Sequence, residues 1–282
     1  MRYTGFYILL GVMLLLWGCN QRMQERAEDT MEAGVLEPFH LRCEYLVEPL
    51  GIDNTSPRLS WVVRSALRGQ RQSAYHILVS SSPDRLAQDV GDLWDTAQVR
   101  SGRTNQIVYE GRPLESRTVC YWKVRVWDAQ GRPSQWSDVS HWTMGLLEEA
   151  DWKARWISYR DDDSMTASQQ NMVLQPARYY RKAFHAPQAI RRATVYATSL
   201  GVYELSLNGQ EVSDRLFTPG WSDYKKRVYY NTFDVTDHVR QGDNAIGAIV
   251  ADGWYSGYVG YGKLVGYGPD RCGRYFYGKT PA

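Results

Sequence analysis

From position 36 onward, apolar and polar residues alternate in short runs separated by turn residues. No run there carries the 3.6-residue period of a helix of useful length. The strongest run is Val119 to Asp128, VCYWKVRVWD. Cys120, Trp122, Val124 and Val126 face one way along it, and Tyr121, Lys123, Arg125 and Trp127 the other. The first set is predicted to be core and the second partly wet. Shorter strands are predicted at Leu59 to Val63, Ala74 to Ser81, Leu93-Trp94, Gln106 to Tyr109 and Val139 to Met144. Turn chemistry such as Ala129 to Pro133 lies between them. This pattern predicts an immunoglobulin-like sandwich over residues 36–145.

A second set of strands begins after residue 176. Arg178 to His185 and Arg191 to Ser199 are predicted strands. Val202, Glu204 and Ser206 then alternate with Tyr203, Leu205 and Leu207, a half-buried strand. Asn208-Gly209 supplies the two residues a type I′ hairpin turn favours, because both must take φ > 0. Arg227 to Val235 reads as another strand, Gln241 to Asn244 as a turn, and Ala245 to Ala251 as a third apolar strand. The pattern ends in an aromatic, glycine-rich rim, Asp252-Gly253-Trp254-Tyr255-Ser256-Gly257. The predicted fold class is therefore all-β, two antiparallel β-sandwiches. Residues 146–176 read as a linker, with Trp152 and Trp156-Ile157 pinning it onto a neighbouring domain. Its acidic triplet, Asp161 to Asp163, reads as a solvated loop, since one short run does not make the oxygen shell of a Ca²⁺ site.

The 282 residues suit about two domains. With 33 basic and 31 acidic residues the net charge is +2. No basic stripe is present, which argues against nucleic acid as a partner. The chain holds 11 Trp and 20 Tyr, enough rings either to fill sandwich cores or to line a ligand surface. Met1-Arg2, the apolar stretch Ile8 to Trp17 and the closing Gly18-Cys19 read as a lipoprotein signal over residues 1–18. Lipidation of Cys19 would then anchor the protein to the outer membrane, in the periplasm or at the cell surface, on a polar tether of residues 19–35. Of the remaining cysteines, Cys43 and Cys120 read either as a bridge or as buried free thiols, and Cys272 is left over. Their spacing fits no zinc site.

No catalytic constellation stands out. The five histidines are scattered, and neither HExxH nor GxSxG occurs. Gly257, Gly260, Gly262, Gly266 and Gly268 miss the GxGxxG spacing. Glu148-Glu149 and the aspartate triplet are adjacent acids. Glycoside hydrolysis instead needs two carboxyls facing each other across a sugar.

Two resemblances add to this reading. Trp61, the YWKVRVWD strand and the following Trp136-Ser137 resemble a fibronectin type III domain. The segments CEYLVEPLGIDNTSPRLSW, YWKVRVWDAQGRPSQWS, ADWKARWI, YYRKAF, LSLNGQEVSD, TPGWSDYKKRVYY, FDVTDHV and GDNAIGAIVADGWYSG, in that order, resemble the N-terminal region of bacterial α-L-rhamnosidases. The resemblance implies a fibronectin-like spacer followed by a jelly roll, here residues 177–282 and incomplete at its C-terminal end. In that family a helical (α/α)₆ barrel follows. It carries the acids of an inverting hydrolysis that releases terminal L-rhamnose. Ala282 precedes any such barrel, so no catalytic residue is assigned and the chain alone is expected to be inactive. The jelly roll is implied to recognise a rhamnose-containing glycan, in some members with Ca²⁺. Trp254 is then the expected stacking platform, with Asp252 and Asn231 as polar or Ca²⁺ ligands. Tyr255, Tyr258 and Trp221 are secondary candidates, and Tyr230 stands where a ligating acid would be convenient. The alternative is a freestanding surface glycan-binding lipoprotein without enzyme activity.

Overall fold

A computed structural model of the chain describes residues 36–158, 176–259, 264–265 and 276–278. The predicted signal segment, Cys19, the acidic triplet and Cys272 lie outside the described residues. The chain divides into two compact units between Met144 and Gly145.

The first unit contains β1 (Glu37–Cys43), β2 (Arg58–Arg64), β3 (Gln72–Ser80), β4 (Trp94–Asp95), β5 (Val99–Arg100), β6 (Ile107–Val108), β7 (Val119–Asp128) and β8 (Ser140–Thr143). One sheet runs β1-β2-β6 and the other β4-β3-β7-β8, with β5 also paired to β3. Every one of these pairings is antiparallel. β7 is the central strand. Cys120, Trp122, Val124 and Val126 are fully buried, as their alternation predicts. The opposite face departs from expectation at Lys123, which is buried rather than wet. Its Nζ donates to the Leu86 carbonyl at 2.7 Å and to the Asp89 carboxylate, and it lies 4.8 Å from the centre of the Trp136 ring. A buried ammonium needs such partners, because desolvating an unpaired charge is costly.

Three elements of this unit were not anticipated, the two-residue β5 among them. β1 carries Pro38 and a register shift between Phe39 and Arg42, so its alternation is broken. The five-residue helix α1 (Pro83–Ala87) starts on Ser82, whose hydroxyl accepts from the Arg85 amide at 3.3 Å. It is too short to show a helical period. Cys43 and Cys120 are both buried free thiols. Burial pushes the Cys120 thiol up to about 12 and raises Cys43 as well.

The second unit contains β9 (Arg178–Ala186), β10 (Thr194–Ser199), β11 (Val202–Leu207), β12 (Gln210–Glu211), β13 (Asn231–Asp234), β14 (Gly242–Ala251), β15 (Tyr258–Val259), β16 (Leu264–Val265) and β17 (Phe276–Gly278). Its sheets run β12-β11-β14-β9, β13-β10-β17 and β15-β16. Small and branched residues fill the core, among them Ala197, Val195, Leu207, Val235 and Val250. Asn208 and Gly209 turn β11 into β12 with φ of 54° and 83°, the hairpin the sequence predicts.

Two boundaries differ from expectation. The Gln241–Asn244 turn is largely absorbed into β14, which starts at Gly242. Asn244 is buried, and its amide donates to the carbonyls of Arg240 and Gly242 at 2.7 and 2.9 Å. It caps the turn from inside the strand. The run from Arg227 yields only the four residues of β13. In the connector, Trp152 packs edge-on against Tyr230 with ring centres 5.1 Å apart. Trp156 and Ile157 are both 45% exposed, and Trp152 is less so.

Candidate functional site

The candidate site is built on the loop between β12 and β13 and on the one-turn helix α2 (Gly253–Ser256) that follows β14. The sequence reads this rim as a turn, and one helical turn forms instead. Gly253 sits at φ of 51°, and a Cβ there would come within 2.7 Å of Val202 Cγ1 and 2.9 Å of the Val202 nitrogen. Only glycine fits this backbone against β11.

Tyr203 on β11 anchors the loop. Its amide donates to the Thr218 carbonyl at 2.8 Å, and the Thr218 hydroxyl donates to the Tyr203 carbonyl. The peptide bond from Thr218 to Pro219 is cis. The Tyr203 hydroxyl donates to Asn231 Oδ1 at 2.8 Å. Burial holds the Tyr203 phenol well above its ordinary pKa, so it stays a neutral donor.

On this anchored loop the Trp221 ring lies parallel to the Trp254 ring within 2°, with centres 5.9 Å apart. Phe217 stands beside Trp254 at 5.6 Å. Leu216, Phe217 and Trp221 are 78%, 65% and 51% exposed. Parallel rings at this centre separation are offset, the arrangement that aromatic quadrupoles favour. A contiguous apolar patch of this kind on a small domain marks a contact surface rather than a core. A polar cleft of about 150 Å³ adjoins it and shares Leu216; Glu204, Glu211, Asp214 and Arg215 stand on its walls. Flat rings beside fixed carboxylates and a guanidinium can hold a molecule that has an apolar face and hydroxyl groups.

The predicted site residues do not all converge. Trp254 and Trp221 are brought together. Tyr255 packs edge-on to Tyr224 with centres 5.3 Å apart, a second ring pair that α2 presents. Asn231 turns its carbonyl oxygen inward to Tyr203 and acts on the loop through that residue. Asp252 occupies the N-cap position of α2 without a side-chain cap bond. Tyr258 lies on β15, paired with Val265 on β16. Tyr230, singled out beside a possible metal, instead accepts the Leu146 amide on its hydroxyl at 3.0 Å. The Asn231 oxygen accepts the Tyr203 hydroxyl and keeps one further lone pair. No group of three His, Cys, Asp or Glu side chains suited to a metal gathers among the described residues. Phe217, Leu216 and Tyr224 were missed by sequence reasoning. The signal was present in Leu216-Phe217, an apolar pair in a polar loop just ahead of Thr218-Pro219-Gly220-Trp221.

Residues 38–148 match the family model described as the Rha78A-like N-terminal immunoglobulin domain. Residues 188–280 match the α-L-rhamnosidase N-terminal domain. These are the N-terminal domains of α-L-rhamnosidases. An α-L-rhamnosidase of Alteromonas sp. (strain LOR) is 41% identical over 218 residues, 77% of this chain and 24% of that protein. The solved α-L-rhamnosidase structure from Dictyoglumus thermophilum is 39% identical with a TM-score of 0.71, covering 78% of this chain and 25% of the other. The Streptomyces avermitilis α-L-rhamnosidase structure, complexed with L-rhamnose, is 26% identical with a TM-score of 0.74, covering 86% and 39%. The chain thus spans about a quarter of the length of the curated α-L-rhamnosidases it matches first. The aromatic rim falls within the α-L-rhamnosidase N-terminal domain, as do the predicted residues Trp221, Asn231, Asp252, Trp254, Tyr255 and Tyr258.

Proposed function

We propose that this chain is the substrate-recognition and scaffold part of an α-L-rhamnosidase that releases terminal L-rhamnose from glycans by inverting hydrolysis. The acids of that hydrolysis lie outside residues 36–282 in this reading. The observation that carries it is the cluster of exposed Phe217 and Trp221 against half-buried Trp254, set in the domain that matches the rhamnosidase N-terminal model. The apolar face of a deoxyhexose such as rhamnose, with its methyl group, suits such rings. Its hydroxyls suit the carboxylates of the adjoining cleft. A lipid on Cys19 would hold this surface at the outer membrane, where glycans arrive.

The test is a calorimetric titration of the full chain with L-rhamnose. Binding is expected, and Trp254→Ala is expected to weaken it by at least about tenfold, the loss of about 1.4 kcal/mol. A flat titration of the parent chain overturns the recognition role. The same preparation is expected to leave an aryl α-L-rhamnoside intact. Heat-labile turnover would place the catalytic acids within this chain. Replacing Cys19 with Ala is expected to move the protein from the membrane fraction to the soluble one.

A further inference from the structure

A second cleft, of about 410 Å³, opens at the edge of the four-stranded sheet of the second unit. Three consecutive cross-strand pairs of β9 and β14 make one wall: Tyr180 with Ala248, Arg181 with Gly247, and Lys182 with Ile246. The segment from Lys153 to Ile157 makes the other. Tyr180 and Ile246 pack against the core and give the cleft an apolar floor. Lys153, Arg155, Arg181 and Lys182 all stand exposed on its walls, and among the described residues no carboxylate lines it. Among the described residues none of these four cations forms an ion pair.

β9 is an edge strand, and charges on an edge deter pairing with other chains. That accounts for Arg181 and Lys182. It does not account for Lys153 and Arg155, which reach the same space from a separate segment. Four unpaired cations around one apolar-floored cleft make a field that attracts and concentrates an anion.

We propose that this cleft binds an anionic sugar unit of a glycan, one that carries a carboxylate or a sulfate ester. The volume is that of a small-ligand site. Arg155 and Arg181 supply planar donor forks that match the paired oxygens of either anion. Tyr180 and Ile246 supply the surface for the carbon face of the ring. The choice of a sugar as carrier of the charge rests on the recognition role proposed above; the selectivity for an anion does not.

The test titrates the full chain, at low salt, with three trisaccharides of similar size: a galacturonate oligomer, a sulfated one and a neutral one. One or both anionic probes are expected to bind, and whichever binds identifies the group. The neutral probe is expected to bind at least about tenfold more weakly. Raising NaCl to about 0.5 M is expected to weaken anion binding by a similar factor, because the charges are exposed and screened. The double substitution Arg155→Ala with Arg181→Ala is expected to weaken it at least about tenfold. The double Lys replacement, which keeps the charge and loses the fork, should retain part of it. Amide exchange in β9 and β14 checks that the sheet is intact in each variant. No binding of either anion, equal binding of the neutral probe, or unchanged binding by the double Ala variant overturns the proposal. Trp254→Ala is expected to leave anion binding unchanged. A chain that binds the anions and ignores rhamnose therefore keeps this site and loses the aromatic one, and the converse result separates them the other way.

Discussion

The two domains place their tryptophans differently. In the first, Trp122 and Trp142 are fully buried and Trp61 is 3% exposed, with the Trp61 indole donating to Gln72 at 3.0 Å. Tyr109 joins them, edge-on to Trp142 at 6.0 Å. In the second, the core cluster is mostly Ala, Val and Leu with Tyr203 and Phe233 and holds no tryptophan, and the large rings Phe217, Trp221 and Trp254 gather on a loop and a single helical turn. A ring contributes to stability only by the area it takes from water. A ring left exposed contributes little to the fold and is available to a ligand. The first domain thus uses its largest rings for packing, and the second leaves several of its own at the surface.

Truncating a core ring is the hardest blow to this contrast. Trp142→Ala is expected to destabilise the first domain by about 3–5 kcal/mol, through lost burial and the cavity left beside Tyr109 and Met144. Hydrogen exchange resolved by peptide reads it. Protection should fall across β3, β7 and β8 and hold in β11 and β14. A uniform fall across both domains would show that their stabilities are coupled and that the contrast is not one of independent units.

Acid should also act on the first domain selectively, with a smaller effect. The Asp128 carboxylate is fully buried at the end of β7. Burial by itself raises its pKa. The amides of Arg132 and Gln130, both at 2.9 Å, and the Arg132 guanidinium at 2.7 Å outweigh this and lower it below the usual carboxylate range. A folded pKa below the unfolded one means stability that is present above the unfolded value of about 3.9 and is lost as pH falls through the folded value. Asp89 is lowered in the same way, chiefly by its hydrogen bond from Lys123. Thermal unfolding followed from pH 7 to pH 3 should show the first domain weakening below about pH 4. Asp128→Asn should flatten that dependence while lowering stability at neutral pH. An unchanged slope in the variant would assign acid sensitivity to other groups.

The sequence carried most strands of the first domain and the β11–β12 hairpin, because alternation and Asn-Gly turn chemistry are local signals. What it missed depends on distant partners. Lys123 can be buried because the Leu86 carbonyl, 37 residues away, and the Asp89 carboxylate accept its hydrogen bonds. The Asn231 oxygen accepts from Tyr203, 28 residues away, a partner that no local pattern reveals. β1 escaped notice because its register shift spoils the period that identifies a strand. Trp254 was legible as a rim aromatic from its Gly-rich setting. Its companion Phe217 was not, because the Tyr203–Thr218 contacts that carry Phe217 to the rim are tertiary.

Those contacts lead to the smallest expected change in stability and the sharpest test of the contrast. Trp221 is 51% exposed and stacks on Trp254 without entering the core. Trp221→Ala should therefore alter stability by no more than about 0.5 kcal/mol, as for a surface substitution. If the rim is a recognition surface, the same variant should weaken rhamnose binding severalfold while exchange in β11 and β14 stays at the parent level. Tyr203→Phe supplies the complementary case. It keeps every rim ring and removes the hydroxyl with its bonds to Asn231 and the Ala197 carbonyl, so its effect on binding measures how far the loop must be held in place. A large stability loss in Trp221→Ala with unchanged binding would reverse the assignment and make the rim rings part of the packing. That outcome would erase the difference between the two domains at the one place where it was drawn most firmly.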